Sequence, residues 1–149
     1  MDIQIIRANR DHALDVAALF DEYRAFYGQP RDPQGALDFI SARLRKQDSV
    51  ILFAWHLEEG YGMGFTQLYP SFSSVAMQRI YILNDLYVTA SARRKGVAAR
   101  LLRAAETFAR AAGAIRLELA TAPDNHAAQA LYEAEEWLRD PFFHYSKST

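Results

Sequence analysis

Leu86-Tyr87-Val88-Thr89-Ala90-Ser91-Ala92-Arg93-Arg94-Lys95-Gly96-Val97-Ala98 runs from the end of an apolar strand into the first turn of a helix. A helix start leaves several backbone amides without partners, and the helix dipole adds partial positive charge there. A phosphate accepts hydrogen bonds from such amides. Gly96 has no side chain to block a close approach, Ala98 is nearly as small, and Arg93, Arg94 and Lys95 set three cations at the same mouth. The stretch suits a pyrophosphate. Taken alone it fits equally well a solvated basic loop capping a helix, with Gly96 merely easing the turn.

Upstream, residues 79–88 read as a long strand. Downstream, residues 94–112 read as a helix, with Val97, Leu101, Phe108 and Ala112 on one stripe, Arg100, Arg103 and Arg110 outside it, and Gly113 at the C-terminal glycine position. Ile115, Leu117 and Leu119 alternate with Arg116 and Glu118, so 114–120 is a strand. Pro123-Asp124 opens a fourth helix ending near Glu135, and the tail, Trp137-Leu138 and Phe142-Phe143-His144-Tyr145, offers one or two closing strands.

Toward the N-terminus, residues 2–7 form a first strand, and Asn9 or Asp11 caps a helix running to about Arg24. Gly28-Gln29-Pro30 breaks it. Asp32-Pro33 starts a second helix marked by Leu37, Ile40 and Leu44. Residues 50–55 are a buried strand, Glu58-Glu59-Gly60 a turn, residues 63–69 another strand, and residues 70–74 a polar loop. The order β-α-α-β-β-β-α-β-α-β(β) is an α/β fold: one mixed sheet of six to seven strands flanked by four helices, in a single domain over residues 1–149.

Net charge is formally -1, which argues against a broad nucleic-acid surface. There is no cysteine, hence no disulfide and no thiolate nucleophile or ligand. His12, His56, His126 and His144 lack metal-ligand spacing, so no metal is expected. No apolar run is long enough for a membrane span, the N-terminus reads as a strand and not a signal peptide, and a cytoplasmic location is the default.

A second constellation lies in the fourth helix. Asn125, Ala128 and Tyr132 are spaced by three and four residues and share one face. A phenol is a donor at neutral pH and can protonate a leaving thiolate. Read without the 93–98 loop, Tyr132 is a core aromatic.

Together these residues resemble the GNAT family of acyl-CoA-dependent N-acetyltransferases. Arg93, Gly96 and Ala98 match the fixed positions of its Arg/Gln-x-x-Gly-x-Gly/Ala loop, and Asn125, Ala128, Leu131 and Tyr132 match its Asn-x-x-Ala-x-x-Leu-Tyr helix. The element order agrees along nearly the whole chain. The resemblance implies a GNAT-like fold and acetyl-CoA as co-substrate. Backbone amides from about Arg94 to Ala98, Val97 included, would hold the CoA pyrophosphate. The backbone of Leu86-Tyr87-Val88, with Asn125 and Ala128, would line the pantetheine arm where strands 80–88 and 114–120 splay apart. Tyr132 would be general acid for the CoA thiolate, released as the acetyl group passes directly to a primary amine. The family's habit and the aromatic-rich tail imply a homodimer through the C-terminal strands.

Two departures stand out. Glu136, and not glycine, precedes Trp137. A subgroup that includes spermidine/spermine N-acetyltransferases carries Leu-Glu-Asp where this chain has Leu83-Asn84-Asp85. Asparagine cannot accept a proton, so Asn84 is left to position a water or the amine. The acidic candidates for a base are Asp85, Glu118 and Glu22, and simple alternation puts Asn84, Leu86 and Val88 on one face with Tyr81, Asp85 and Tyr87 on the other. Glu22, Tyr27 and Tyr69, with Asp21 and Tyr23, suit a cationic acceptor, although Asp21 and Glu22 individually read as solvated helix residues. A non-catalytic CoA-binding or protein-interaction module is the alternative that Asn84 motivates. An unrelated nucleotide site is disfavoured, because Gly96 is the loop's only glycine.

Overall fold

The structure, a computed structural model, describes residues 2–149; Met1, the first residue of the span read above as one domain, lies outside them. A five-stranded sheet runs in the order β1 (Ile3–Arg7), β2 (Val50–His56), β3 (Tyr61–Ser73), β4 (Gln78–Val88), β5 (Leu117–Glu118). The first three pairings are antiparallel and β4–β5 is parallel. The helices are α1 (Ala13–Phe26), α2 (Pro33–Lys46), α3 (Val97–Ala111) and α4 (His126–Ala134).

Local chemistry explains the helix starts. Asn9 Oδ1 accepts from Asp11 N at 2.9 Å and so caps the 3-10 turn that leads into α1. Asp32 Oδ1 accepts from Gly35 N at 3.0 Å, with Pro33 at the first helical position of α2. Two cores then form. Val16, Phe20 and Ile40 of α1 and α2 pack on Ile51, Phe53, Phe65 and Tyr87. On the other face Val97, Leu101, Leu102 and Ala105 of α3 pack on Leu52, Met63, Leu68, Tyr81 and Leu83, and Leu131 and Tyr132 of α4 join them. Strands β2 and β3 are thus buried on both faces, which is why they read as apolar runs.

Four expectations are corrected. The sheet has five strands and not six to seven, because residues 135–149 contain no strand. A strand needs a partner edge for its backbone groups, and this tail lies against none. Residues 70–74 are not a loop, since β3 continues to Ser73, pairing Phe72 with Arg79, whose guanidinium sits 4.2 Å over the Phe72 ring. Pro70 is tolerated there because the β2 pairing has already ended at Leu68. The third helix begins at Val97 and not at 94, because Arg94 (φ 62°) and Gly96 (φ 77°) hold left-handed conformations. The strand expected over 114–120 shrinks to Leu117–Glu118.

Candidate active site

The shortness of β5 creates a crevice. It pairs with β4 only at Tyr81–Leu117 and Ile82–Glu118. From Leu83 to Val88, β4 pairs only with β3, so the backbone edge facing away from β3 has no strand partner, its one side-chain contact being Arg93 Nε on Val88 O. The parting coincides with a bulge. Gln67 opposes Asp85 and Leu68 opposes Leu83, so Asn84 is the extra residue. The bulge also corrects the simple alternation. Tyr81 and Leu83 share the α3 face with Leu86 and Val88, whereas Asp85 meets Tyr23 of α1, and Tyr87 packs in the α1–α2 core. Asp85 and Tyr81 are therefore on opposite faces, and Asp85 points toward α1.

At the end of β4 a 3-10 turn, Ala90–Ala92, leads to the basic loop. Arg100 N donates to Gly96 O at 3.1 Å, and no side chain caps the helix start. The amides of Val97, Ala98 and Ala99, one turn earlier, therefore have no intrahelical acceptor. A Cβ built on Gly96 would meet nothing within 4 Å, so the space beside Gly96 at the head of these amides is open. Arg94 and Lys95 are exposed. Arg93 is used differently: its Nε donates to Val88 O at 3.0 Å and its guanidinium lies over the Phe26 and Tyr87 rings at 5.5 and 5.6 Å. It ties the loop to α1.

The fourth helix, α4, packs through Leu131 and Tyr132 on the core that α3 shares. Asn125 Oδ1 accepts from Ala128 N at 3.2 Å, capping the helix and fixing the side chain. Tyr132 is half-buried on the same face, its ring 6.1 Å from that of Trp137. Burial, aided by the nearby Tyr27, raises its phenol above the ordinary value, so it stays protonated. Glu136, where the family has glycine, takes φ 67° as glycine would.

The α1 side of β4 is lined by carboxylates and aromatic rings. Asp85 is 2% exposed. Its Oδ2 accepts from Gln67 Nε2 at 2.6 Å, and its Oδ1 from Asn84 Nδ2 at 2.8 Å and from Tyr23 OH at 3.5 Å. Burial raises its carboxyl above the usual range, while these three donors pull it back. Tyr69 beside it is pushed up to about 12, first by burial and then by Asp85. Glu22 Oε1 accepts from both Tyr87 OH (3.1 Å) and Thr89 Oγ1 (2.7 Å). Tyr27 is 60% exposed at the rim, edge-on to Tyr23 at 5.1 Å.

Asp21 is not a solvated residue. It is buried and accepts from Arg31 Nε at 2.6 Å and Asp32 N at 2.8 Å, locking the α1–α2 connection. The backbone bond from Asp32, ahead of Arg31, holds its carboxyl below the usual range despite burial. Glu118 pairs with Arg116 at 2.6 Å. Gln67 was missed by sequence reading, and its signal was a lone amide among the apolar residues of β3. Two clefts, one lined by Arg10, Ser41 and Leu44 and the other by Phe20, Asp32, Gly35 and Phe39, follow the α1–α2 seam and include none of Glu22, Asp85, Asn125 and Tyr132.

Comparison with known proteins bears on this arrangement. The profile of the acetyltransferase (GNAT) family matches residues 16–135. An uncharacterized N-acetyltransferase of Bacillus subtilis (strain 168), YhfO, is 49% identical over 144 residues, spanning 96% of this chain and 95% of that protein. The crystal structure of a probable acetyltransferase superposes with a TM-score of 0.93 at 41% identity, covering 98% of this chain and 97% of its own. The acetyltransferase AAC(6')-Iy, solved in complex with a bisubstrate analogue built on CoA, shares the fold with a TM-score of 0.80 at 20% identity, covering 100% of both chains.

Proposed function

The chain belongs to the GNAT family of acetyltransferases and is an N-acetyltransferase, and on that premise we propose that it moves an acetyl group from acetyl-CoA directly to a primary amine. The observation that carries this reading is the open β4 edge from Leu83 to Val88, continuous with the unpartnered amides at the start of α3. The edge of an unpaired strand offers alternating N–H and C=O groups, which match the two amides of a pantetheine arm. The open space over Gly96 fits a pyrophosphate.

In this reading the arm runs along Leu86, Tyr87 and Val88 and pairs with the outward backbone groups of Leu86 and the Val88 amide, Tyr87 facing β3 and Val88 O being held by Arg93. Asn125, its carbonyl oxygen committed to Ala128 N, keeps its amide NH₂ for a pantetheine carbonyl, and Ala128 leaves room beside it. Amides from Arg94 through Ala98 hold the pyrophosphate, with Arg94 and Lys95 neutralising it. Arg93 acts by anchoring Val88 and the loop. No metal takes part. As the amine nitrogen bonds to the acetyl carbon, the C–S bond breaks and the sulfur takes a proton from Tyr132. Asn84 and Asp85 stand at the bulge on β4, where the strands part, and Glu22, Tyr27 and Tyr69 bound the acceptor side. Residues 1–149 form one such domain, and two copies associate through the C-terminal tail.

Calorimetric titration with acetyl-CoA tests the donor half: saturable binding is expected, and its absence would sink the reading. Tyr132→Phe is expected to lower the rate of CoA release about 10²-fold while leaving acetyl-CoA affinity within a few-fold. An unchanged rate removes Tyr132 as the acid.

A further inference from the structure

Resting on the amine-acceptor reading, one problem is left: where the ammonium proton of the acceptor goes. An alkylamine has a pKa near 10, so it arrives protonated and cannot attack. Asn84, at the exposed tip of the bulge, cannot take the proton. Asp85 can, but it is 2% exposed, with one oxygen held by Gln67 at 2.6 Å and the other by Asn84 at 2.8 Å. A substrate nitrogen does not reach it directly. One side chain spans the gap. Tyr23 reaches from α1 to the bulge, is half-buried, and places its hydroxyl 3.5 Å from Asp85 Oδ1 and 3.4 Å from Asn84 O.

We propose that Tyr23 and Asp85 form a proton relay: the acceptor's N–H donates to the Tyr23 oxygen while the Tyr23 O–H passes its proton to Asp85 Oδ1. The balance closes. The amine loses one proton to Asp85 through Tyr23, whose phenol is regenerated. After the C–N bond forms, the nitrogen's second surplus proton passes to solvent as the C–S bond breaks, and Tyr132, having given its proton to the sulfur, takes one back from solvent. Asp85 returns its proton to solvent after product departs.

The surroundings are consistent with this division of labour. The groups facing Asp85 are Tyr23 from α1, Gln67 and Tyr69 from β3 and Asn84 from β4, with Tyr27 packed edge-on behind Tyr23 and the Glu22–Tyr87 pair further along the same face. None is a cation. Burial raises the Asp85 carboxyl, which narrows the gap to the amine. Burial and Asp85 together raise the Tyr23 phenol far above its ordinary value, so it conducts a proton without persisting as a tyrosinate. Gln67 Oε1 accepts from Ser49 Oγ at 2.8 Å, which fixes the amide with its NH₂ toward Asp85. Gln67 is therefore a positioning residue. The long Tyr23 contacts are of the kind that shorten when substrate arrives.

The test measures CoA release with ethylamine, 1,4-diaminobutane and a lysine-containing peptide, and separately with hydroxylamine, which is uncharged at neutral pH. With the best of the three charged amines, Tyr23→Phe and Asp85→Asn are each expected to lower kcat/KM about 10²–10⁴-fold. The double variant should lose no more than the worse single variant, because the two act as one unit. Hydroxylamine should be acetylated by the variants within a few-fold of the native rate. In the native protein kcat/KM falls as pH drops through the Asp85 pKa, since the carboxylate must be ionised. Gln67→Met removes a donor that favours the ion, so this limb should move to higher pH, whereas a merely structural role would lower the plateau without moving the limb. Multiplying losses in the double variant, or equal losses with hydroxylamine, would overturn the relay. Acetyl-CoA affinity, measured calorimetrically on each variant, separates the failures. Native-like affinity with an unchanged rate in Tyr23→Phe sinks the relay alone. Affinity without turnover of any charged amine sinks it together with the amine reading, and loss of affinity in the native protein sinks the donor reading.

Discussion

Glu136 closes α4 in a conformation that favours glycine. Its φ is 67°, its amide donates to Glu133 O at 3.1 Å, and the following Trp137 N donates to Tyr132 O at 2.9 Å. These two bonds make a Schellman ending, which satisfies the carbonyls at the end of the helix and points Trp137 back at the Tyr132 ring. A left-handed conformation costs a non-glycine residue roughly 1–2 kcal/mol. Glu136→Gly removes that cost but gives the unfolded chain more freedom, which offsets about 0.4–1 kcal/mol. The strain term wins, so the variant should gain about 0.5–1 kcal/mol, read as an upward shift of the denaturation midpoint with unchanged slope. A loss of stability would show that the turn is held by something else. Single residues are also where the sequence spoke unevenly. The shared helix face of Asn125 and Tyr132 was legible because helical spacing relates them within eight residues. Gln67 was not named at all, and the grouping of Asp85 with Tyr23 was not legible although each was named, because strand pairing and helix docking bring together positions 18 and 62 residues apart. Alternation along β4 failed at Asn84, since one inserted residue reverses the facing of everything before it.

Two glycines show how the elements hold the site. A Cβ on Gly64 would lie 2.5 Å from Tyr87 O and 3.2 Å from Val88 Cα, so β3 presses directly on the end of β4. Gly64→Ala must push the strands apart, at a cost of about 1–3 kcal/mol, and should weaken acetyl-CoA binding by displacing the Tyr87–Val88 edge. Gly96→Ala differs. Its Cβ meets no atom within 4 Å, and only its φ of 77° is strained, a cost of about 1–2 kcal/mol. The added methyl stands where the proposed pyrophosphate approaches, so its affinity loss should exceed its stability loss. Chemical denaturation and calorimetry on both variants check the contrast; equal affinity for native and Gly96→Ala proteins would move the phosphate site elsewhere. At this scale the sequence was mostly legible. Helix starts are written in side chains such as Asp32 and Asn9, and strands β2 to β4 in apolar runs. What could not be read was how short β5 is. Its alternation, Ile115-Arg116-Leu117-Glu118-Leu119, is that of a full strand, but pairing ends just before the β4 bulge, which belongs to its partner.

The whole molecule leaves its C-terminal chain unspent. Leu138, Phe142, Phe143 and Tyr145 are 92%, 82%, 88% and 90% exposed. Scattered apolar residues on a surface are ordinary, but four within eight residues on a segment without a partner strand are not. The same sheet ends at β5, a two-residue strand with no strand on its outer side. An open edge and an extended apolar segment are complementary: one lacks hydrogen-bond partners, the other lacks both partners and a core. A second copy would supply each with what it lacks, and two-fold association would let both tails be used at once. Burying side chains of this size stabilises by roughly 1.5–3 kcal/mol each, enough for four in each copy to hold a dimer against the cost of association. Sedimentation at micromolar concentrations should therefore show a dimer for the native chain. A chain ending at Trp137 should sediment as a monomer and keep its helical signal, because α3, α4 and both cores lie before the cut. A monomeric native chain, or a truncated chain that remains dimeric, would exclude the tail as the dimer contact.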